Sequence, residues 1–502
     1  MSEAVRRGRV CLVGAGPGDS GLITLRAVQR LREADLVVCD YLVNPRLLEY
    51  VRPSAEVVVL GHHAHNLSPW QIVELLISAA RAGRTAVRLK GGDPGVFGRL
   101  AEETAALAAA KVSFEVVPGV TAASAAAAYA GIPITHSRSA SAVTLVTGHQ
   151  RRDKSPPLDY GALAGVPGTL VFYMGITSAA DWTRALVDRG RPGNTPVAII
   201  RRVSWPDQHV TRTSLAEVEA TIKREQIKPP ALIVVGEVVA SMPDSNWFQL
   251  RPLWGQTIMV TRPRQEAAAL CDLLEAMGAA TLVQPAIEIV EPVDWEPVDA
   301  ALGRLSSFDW LVFSSANGVR FLLDRMLREG DMRRLGSARI AAIGPGTADE
   351  LAHYRLRADL VPAEYRAEAL AESLSDGAQG KRFLLARASR GREALAERLR
   401  DAGAHVEQVV VYQSLDVAEP DPSVAESLRG GKIDWITVTS SAIARSLAHL
   451  FGDALRKSRL VSISPLTSGA IRELGFEPAA EAAEYSMAGV VEAILRGSGS
   501  GP

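Results

Sequence analysis

The second half of this 502-residue chain repeats itself, and that repetition restricts the possible folds more than any other feature. Residues 257–278 align without a gap on 382–403, each reading as a strand, a turn with an arginine, a helix and a glycine. At the same separation 308–315 (Phe-Asp-Trp-Leu-Val-Phe-Ser-Ser) match 433–440 (Ile-Asp-Trp-Ile-Thr-Val-Thr-Ser), and with a small shift 340–347 match 460–467. A duplicated strand–helix unit predicts two similar parallel-sheet lobes with a ligand cleft between them. In such lobes ligands sit beyond the carboxyl ends of strands, where helix N-termini offer free N–H groups. Those ends carry Arg262 and Arg264, residues 314–317, Arg387 and Arg390, residues 439–441, and Thr467 with Ser468. The set suits an anion and has no metal spacing, nucleophile–base pair or phosphate loop. Its serines are helix caps by default, and their repeated pairing with arginines points to a carboxylate ligand.

The first half centres on residues 87–99. A strand ending Val-Arg-Leu-Lys is stopped by Gly91-Gly92-Asp93-Pro94, because paired glycines reach positive φ and proline supplies no N–H. Bare backbone beside one carboxylate suits a ligand with hydroxyls or an ammonium, whereas Asp93 would repel a phosphate. Upstream, strand 9–13 runs into Gly14-Ala15-Gly16-Pro17-Gly18-Asp19, a helix over 24–33, and strand 36–39 ending at Asp40. This resembles a dinucleotide turn, but its third glycine would fall at Asp19, and Pro17 removes an N–H that would cradle pyrophosphate. Despite these departures, a nucleotide-dependent oxidoreductase is kept as the rival enzyme class. Further strands at 114–117, 141–147, 169–173, 196–200 and 231–235, separated by helical patterns such as 179–188, give an α/β layout.

A chain of this length needs two or more cores. Its net charge of −1 argues against a general nucleic-acid binder. Cys11, Cys39 and Cys271 sit in apolar runs and read as buried thiols in a reducing compartment. No apolar run reaches membrane-spanning length, and Arg6, Arg7 and Arg9 precede only the short run 10–13, so the cytoplasm is expected. Residues 241–256, with Pro243, Asn246, Pro252 and two tryptophans, read as an interdomain connection.

Gly-Ala-Gly-Pro-Gly-Asp, Arg-Leu-Lys-Gly-Gly-Asp-Pro, Pro-Gly-Val-Thr, Ala-Gly-Ile-Pro-Ile-Thr-His, Val-Thr-Gly-His and Phe-Tyr-Met-Gly, in that order, resemble uroporphyrinogen-III C-methyltransferase over about residues 8–240. The resemblance implies a two-lobed tetrapyrrole-methylase fold, usually a homodimer formed through this half. S-adenosylmethionine (SAM) would lie between the lobes and methylate uroporphyrinogen III twice, giving precorrin-2 and S-adenosylhomocysteine (SAH). Carried over by position, the SAM contacts are Pro17, Gly91, Gly92, Asp93, Val96, Thr121, Ala122 and Met174, with a backbone contact at Val203. Asp40 matches a proposed proton acceptor; taken alone it is a solvated carboxylate or a cap, as Met174 alone is a core residue. Two departures stand out. Leu60-Gly61-His62-His63 replaces Val-Gly-Lys-Arg, so His62 occupies the place of a proposed proton-donor lysine. Arg201-Arg202-Val203-Ser204 replaces Glu-Asn-Gly-Thr, and Arg201 and Arg202 either hold substrate carboxylates or form an exposed basic pair.

Residues 255–497 resemble uroporphyrinogen-III synthase through Val-Thr-Arg-Pro, Phe-Ser-Ser-Ala-Asn-Gly-Val, Ala-Ile-Gly-Pro-Gly-Thr, Val-Val-Val-Tyr and Ile-Ser-Pro-Leu-Thr-Ser. The resemblance implies closure of hydroxymethylbilane with inversion of ring D and loss of water, without a cofactor. It also implies a chain that crosses between lobes twice. Tyr412 falls at the tyrosine suspected of assisting loss of the hydroxyl, although taken alone it is a strand tyrosine at the lobe edge, and Arg262, Ser315, Arg387, Ser440 and Thr467 become substrate contacts. The expected organisation is a methyltransferase at 1–240, a linker at 241–256, a flavodoxin-like two-lobed synthase at 257–497 and a flexible tail at 498–502. Its partners are small tetrapyrroles, with no nucleic acid, membrane or metal. The alternative is a methyltransferase whose second half holds a tetrapyrrole without catalysis.

Overall fold

The computed structural model describes residues 8–61, 67–150, 156–243, 246–390 and 393–499. The chain separates into two compact units, residues 1–255 with 277–280, and 256–276 with 281–502.

In the first unit, β1 (Arg9–Gly14), β2 (Leu36–Cys39), β3 (Glu56–Val59), β4 (Thr85–Lys90) and β5 (Phe114–Val117) form a parallel sheet in the order β3-β2-β4-β1-β5. Parallel strands need crossovers that cover both faces, which is why β1 and β2 are apolar at nearly every position. Cys11, Val13, Val87 and Leu89 pack with Ala27 and Leu31 of helix Leu25–Glu33 on one face. Val10, Leu12 and Ala86 pack with Leu76 of helix Pro69–Arg81 and with Leu107 on the other. A second sheet contains β6 (Ala142–Thr147), β7 (Gly168–Tyr173), β8 (Pro196–Arg201), β9 (His209–Ser214) and β10 (Ala231–Val235), in the order β6-β7-β10-β8-β9. Here only β6 and β7 are parallel; the other pairs run antiparallel. Strand β9, His-Val-Thr-Arg-Thr-Ser, gives no apolar run and goes unread in the sequence.

Residues 246–255 behave as part of this unit rather than as a free connection. Phe248 is fully buried edge-on to Tyr129 and Trp254, and the Arg251 guanidinium lies 3.9 Å from the Phe248 ring centroid. Trp247 Nε1 donates to the Ala128 carbonyl at 2.9 Å. The aromatics that disrupt periodicity here are those that dock the segment.

The second unit contains β11 (Thr257–Val260), β12 (Ala280–Val283), β13 (Ile287–Val290), β14 (Trp310–Phe313), β15 (Arg339–Ala342), β16 (Arg382–Ala388), β17 (His405–Asp416), β18 (Trp435–Val438), β19 (Arg459–Ser462) and β20 (Pro478–Glu481). One lobe has the order β12-β11-β18-β19-β20 and the other β13-β17-β16-β14-β15, so the chain crosses twice. Each is a flavodoxin-type 2-1-3-4-5 order, with β13 taking the fifth place antiparallel to β17. The sequence repeat does not map lobe onto lobe. It pairs β11 with β16 and β14 with β18, the first strand of one lobe with the third of the other. Both are central parallel strands feeding a helix, so both present the same pattern.

The expected tail is partly anchored. Helix Met487–Gly497 ends against Trp435, and the Ser498 hydroxyl accepts from Trp435 Nε1 at 3.2 Å and donates to Gln256 at 3.0 Å. A Cβ on Gly497 would lie 2.6 Å from the Trp435 ring. Gly497→Val is therefore expected to destabilise the second unit by about 1–3 kcal/mol, measured by chemical denaturation. An unchanged midpoint would mean that the helix end yields freely.

Candidate functional site

Strand ends of both sheets in the first unit line a groove of about 1050 Å³. Its floor is the stretch after β4. Gly92 (φ +69°) exchanges backbone hydrogen bonds with Gly16, at 2.7 and 3.2 Å. A Cβ on Gly119 would stand 2.3 Å from the Gly92 carbonyl, so these backbones are already in contact. A Cβ on Gly92 itself would meet nothing within 4 Å. It would project into the open space of the groove.

Gly91, Asp93, Val96 and Pro17 line the same groove. Asp93 fastens the loop: one carboxylate oxygen accepts Gly95 N–H at 2.7 Å, the other Gly119 N–H at 2.9 Å. Asp93→Ala is thus expected to cost about 1–3 kcal/mol of stability in addition to any lost ligand contact. Loss of SAH affinity with an unchanged denaturation midpoint would assign the carboxylate to the ligand alone.

Across the groove, Thr121 and Ala122 begin helix Ala122–Tyr129. Tyr173, expected only as a strand end, caps that helix: its hydroxyl accepts Ala123 N–H at 2.9 Å and lies 2.6 Å from Thr121 Oγ1. Burial pushes the Tyr173 hydroxyl up, so it stays protonated. Phe97, Arg99, Met174 and Arg202 all line the groove and all have positive φ, between 50° and 57°. Strain of this kind, about 1–3 kcal/mol each, gathers where the surroundings fix a working geometry. Met174 presents a half-exposed side chain.

Val203 and Arg202 reach the wall, but Arg201 does not. Arg202 is bonded to Asp207 at 2.7 Å and lies 4.2 Å over Trp205, whose Nε1 donates to the Pro17 carbonyl. Arg201 shares Asp207 at 3.4 Å. Asp40 lies at the end of β2, with one oxygen accepting from Arg88 Nη2. His62 lies outside the described residues. Sequence reasoning missed Arg88, Lys90 and Glu103, which line the groove; the available signal was two cations at alternate positions in an otherwise apolar strand. It also missed Tyr41 and Trp70, largely exposed at the groove's edge. Bare glycine backbone, apolar Val96 and Ile176, the Phe97 ring and the Met174 thioether form a donor set and a cradle that fit SAM.

In the second unit the strand ends hold most of the expected set. The Tyr412 hydroxyl lies 3.1 Å from Ser315 Oγ. Ser315 in turn accepts Gly318 N–H at 3.0 Å, capping helix Ala316–Arg328. Tyr412 is 7% exposed, and burial pushes its hydroxyl up, so it stays protonated at neutral pH. Arg262 pairs with Glu266, whose other oxygen accepts Asn317 Nδ2 at 2.6 Å, linking the two lobes. Ser440 caps helix Ser441–Phe451, and Thr467 N–H is taken by Ser464. Thr439 Oγ1 is buried with no hydrogen-bond partner among the described residues.

Arg387 departs from expectation. Ala386 packs with Tyr412, whereas Phe383 and Leu385 pack on the opposite face of β16, and strand alternation puts Arg387 with them. It is bonded there to Glu393 and to Gln408 at 2.8 Å. A separate cavity of about 400 Å³ at the crossovers is lined by Glu288, Glu419, Asp421 and Arg264. Its excess of carboxylates has the wrong sign for a polycarboxylate ligand.

Among the described residues no group of three or more His, Cys, Asp or Glu could hold a metal, and no helix is long and apolar enough to cross a membrane. The three cysteines are buried. Burial pushes Cys11 up to about 11 and Cys39 up to about 12, so both are thiols rather than thiolates at neutral pH.

The architecture thus defines a two-sheet α/β unit with a small-molecule groove, followed by a double flavodoxin-type unit. Residues 9–219 match the family of tetrapyrrole (corrin/porphyrin) methylases, and residues 268–492 match uroporphyrinogen-III synthase HemD. The porphyrin biosynthesis protein HemD of Ruminiclostridium josui is 32% identical over 442 residues, 87% of this chain and 88% of that one. Uroporphyrinogen-III C-methyltransferase of Bacillus subtilis (strain 168) is 36% identical over 356 residues, 69% of this chain and 72% of that one. The siroheme synthase of Sodalis glossinidius (strain morsitans) is 46% identical over 251 residues, 50% of this chain and 53% of that one. The chain belongs to the family in which a tetrapyrrole methylase is fused to a uroporphyrinogen-III synthase. It is a bifunctional enzyme of tetrapyrrole biosynthesis.

Proposed function

We propose that the second unit closes hydroxymethylbilane to uroporphyrinogen III, and that the first methylates this product twice from SAM to give precorrin-2, for sirohaem or cobalamin. The observation that carries the reading is the open space beside Gly92, in the same groove as Asp40. SAM, when bound, supplies an electrophilic methyl group on a sulfonium. Gly91, Gly92, Val96, Thr121, Ala122, Met174 and Val203 hold it, and Pro17 and Asp93 fix the loops around it. Asp40 takes the proton that each methylated macrocycle releases. Tyr41 and Trp70 offer flat faces to pyrrole rings, and Arg202 meets a carboxylate arm.

In the second unit Tyr412 donates its proton to the departing hydroxyl, steadied by Ser315, with no cofactor. Arg262, Ser440 and Thr467 lie on the side where the substrate's carboxylates would bind; Arg387 is left out of the set. We assign methyl transfer to residues 1–240 and ring closure to 257–497, in a cytoplasmic homodimer formed through the methyltransferase unit. Purified protein given hydroxymethylbilane and methyl-labelled SAM should yield labelled precorrin-2. Label only when uroporphyrinogen III is supplied would reduce the second unit to a tetrapyrrole-binding module. Label in neither case would defeat the reading.

A further inference from the structure

Arg88 and Lys90 stand at i and i+2 on β4, so both side chains leave one face of a strand at the centre of its sheet. Each is only 5% exposed. Opposite them is Glu103, 9% exposed, in the first turn of helix Leu100–Ala109, and beside Arg88 is Asp40. Glu103 Oε1 accepts from Lys90 Nζ at 2.6 Å and lies 3.7 Å from Arg88 Nε. Arg88 Nη2 donates to Asp40 Oδ1, and Nη1 is fixed by the carbonyls of Val38 and Leu89, each at 3.2 Å. The order Lys90, Glu103, Arg88, Asp40 alternates in sign and sums to zero. Burial and the neighbouring Arg88 push the Lys90 ammonium down, with Glu103 opposing them. Arg88 Nε and Glu103 Oε2 have no hydrogen-bond partner among the described residues, although both residues line the groove. Both unsatisfied atoms belong to residues that border the groove, and buried polar atoms of this kind call for an explanation.

We propose that Lys90 and Glu103 are positioning residues for methyl transfer, holding Arg88 in a charge-balanced row so that Asp40 meets the substrate as a fixed carboxylate. The inference rests on the reading of Asp40 as proton acceptor. If Glu103 loses its charge, Arg88 and Lys90 repel each other and Arg88 carries Asp40 out of place. If Lys90 loses its charge, Glu103 competes with Asp40 for Arg88. Removing both charges leaves a neutral Arg88–Asp40 pair, because a buried ionic group suffers most when one partner alone is deleted.

The test is steady-state methyl transfer to supplied uroporphyrinogen III by the full chain, with SAH affinity measured by calorimetry. Glu103→Gln and Lys90→Met should each lower kcat by about ten-fold or more while leaving the SAH Kd within about two-fold of the parent. The double variant should return to within about three-fold of the parental kcat, the compensation that a double-mutant cycle detects. Parental rates in both single variants, or a double variant no faster than the slower single, would overturn the proposal. Should a single variant not fold, the double decides: a folded protein at parental rate supports the row. A slow or unfolded double shows a purely structural cluster and overturns it. Asp40→Asn is the control. Full activity there defeats the acceptor role itself, whereas loss there with parental Glu103→Gln and Lys90→Met defeats only the positioning role.

Discussion

Gly92→Val should leave no measurable SAH binding and lower methyl transfer on the order of a hundred-fold or more, with ring closure of hydroxymethylbilane unchanged. Two costs combine. The backbone at φ +69° is one that a β-branched residue rarely adopts, costing about 1–3 kcal/mol. The new side chain would also enter the open groove, because no protein atom stands within 4 Å of its Cβ. At 1.4 kcal/mol per factor of ten, about 3 kcal/mol accounts for the loss. Gly92→Ala should give an intermediate effect, with calorimetry and thermal denaturation of both variants separating blocked binding from unfolding. Normal SAH affinity in Gly92→Val would remove the groove floor from the ligand site.

Tyr412→Phe should slow ring closure by about a hundred-fold, the usual scale for loss of a positioned acid, while methylation of supplied uroporphyrinogen III stays at the parental rate. The change removes one hydroxyl and keeps the ring, which packs against Phe321 with centroids 5.7 Å apart, so folding should survive. Ser315→Ala is expected to be milder in rate but to cost about 1 kcal/mol in stability, because Ser315 also caps its helix. Unimpaired closure by Tyr412→Phe would return the tyrosine to a packing role.

Much of this molecule was legible because parallel strands announce themselves. Buried on both faces, β1 and β2 read as apolar runs, and each ends in glycine or a polar residue where the chain must turn. Strand β9 was not legible: as the edge partner of β8 in an antiparallel pair it carries polar residues, and its period gives no apolar block. The repeat was visible, but not which strands it relates, since first and third strands of a flavodoxin-type sheet meet the same packing demands. The docking of 246–255 was hidden because its aromatics pack one by one, without period.

In the groove, Gly92 and Asp40 were readable from motif and strand end. The roles of Tyr173 and Glu103 were not, because a cap and an ion partner come from elements distant in sequence. Arg387 shows the reverse limit. Sequence position placed it at a strand end, but the pleat decides which face a side chain takes, and it faces away from Tyr412.

If one chain carries two separable activities in series, two variants that are each defective in one of them should together restore the whole conversion. Gly92→Val alone, given hydroxymethylbilane and labelled SAM, should accumulate unlabelled uroporphyrinogen III. Tyr412→Phe alone should make little of that isomer but label it when it is supplied. The mixture should convert hydroxymethylbilane into precorrin-2 carrying two labelled methyl groups. A mixture that forms no labelled precorrin-2, although each variant retains its one expected activity on supplied substrate, would mean that the two units do not act in series.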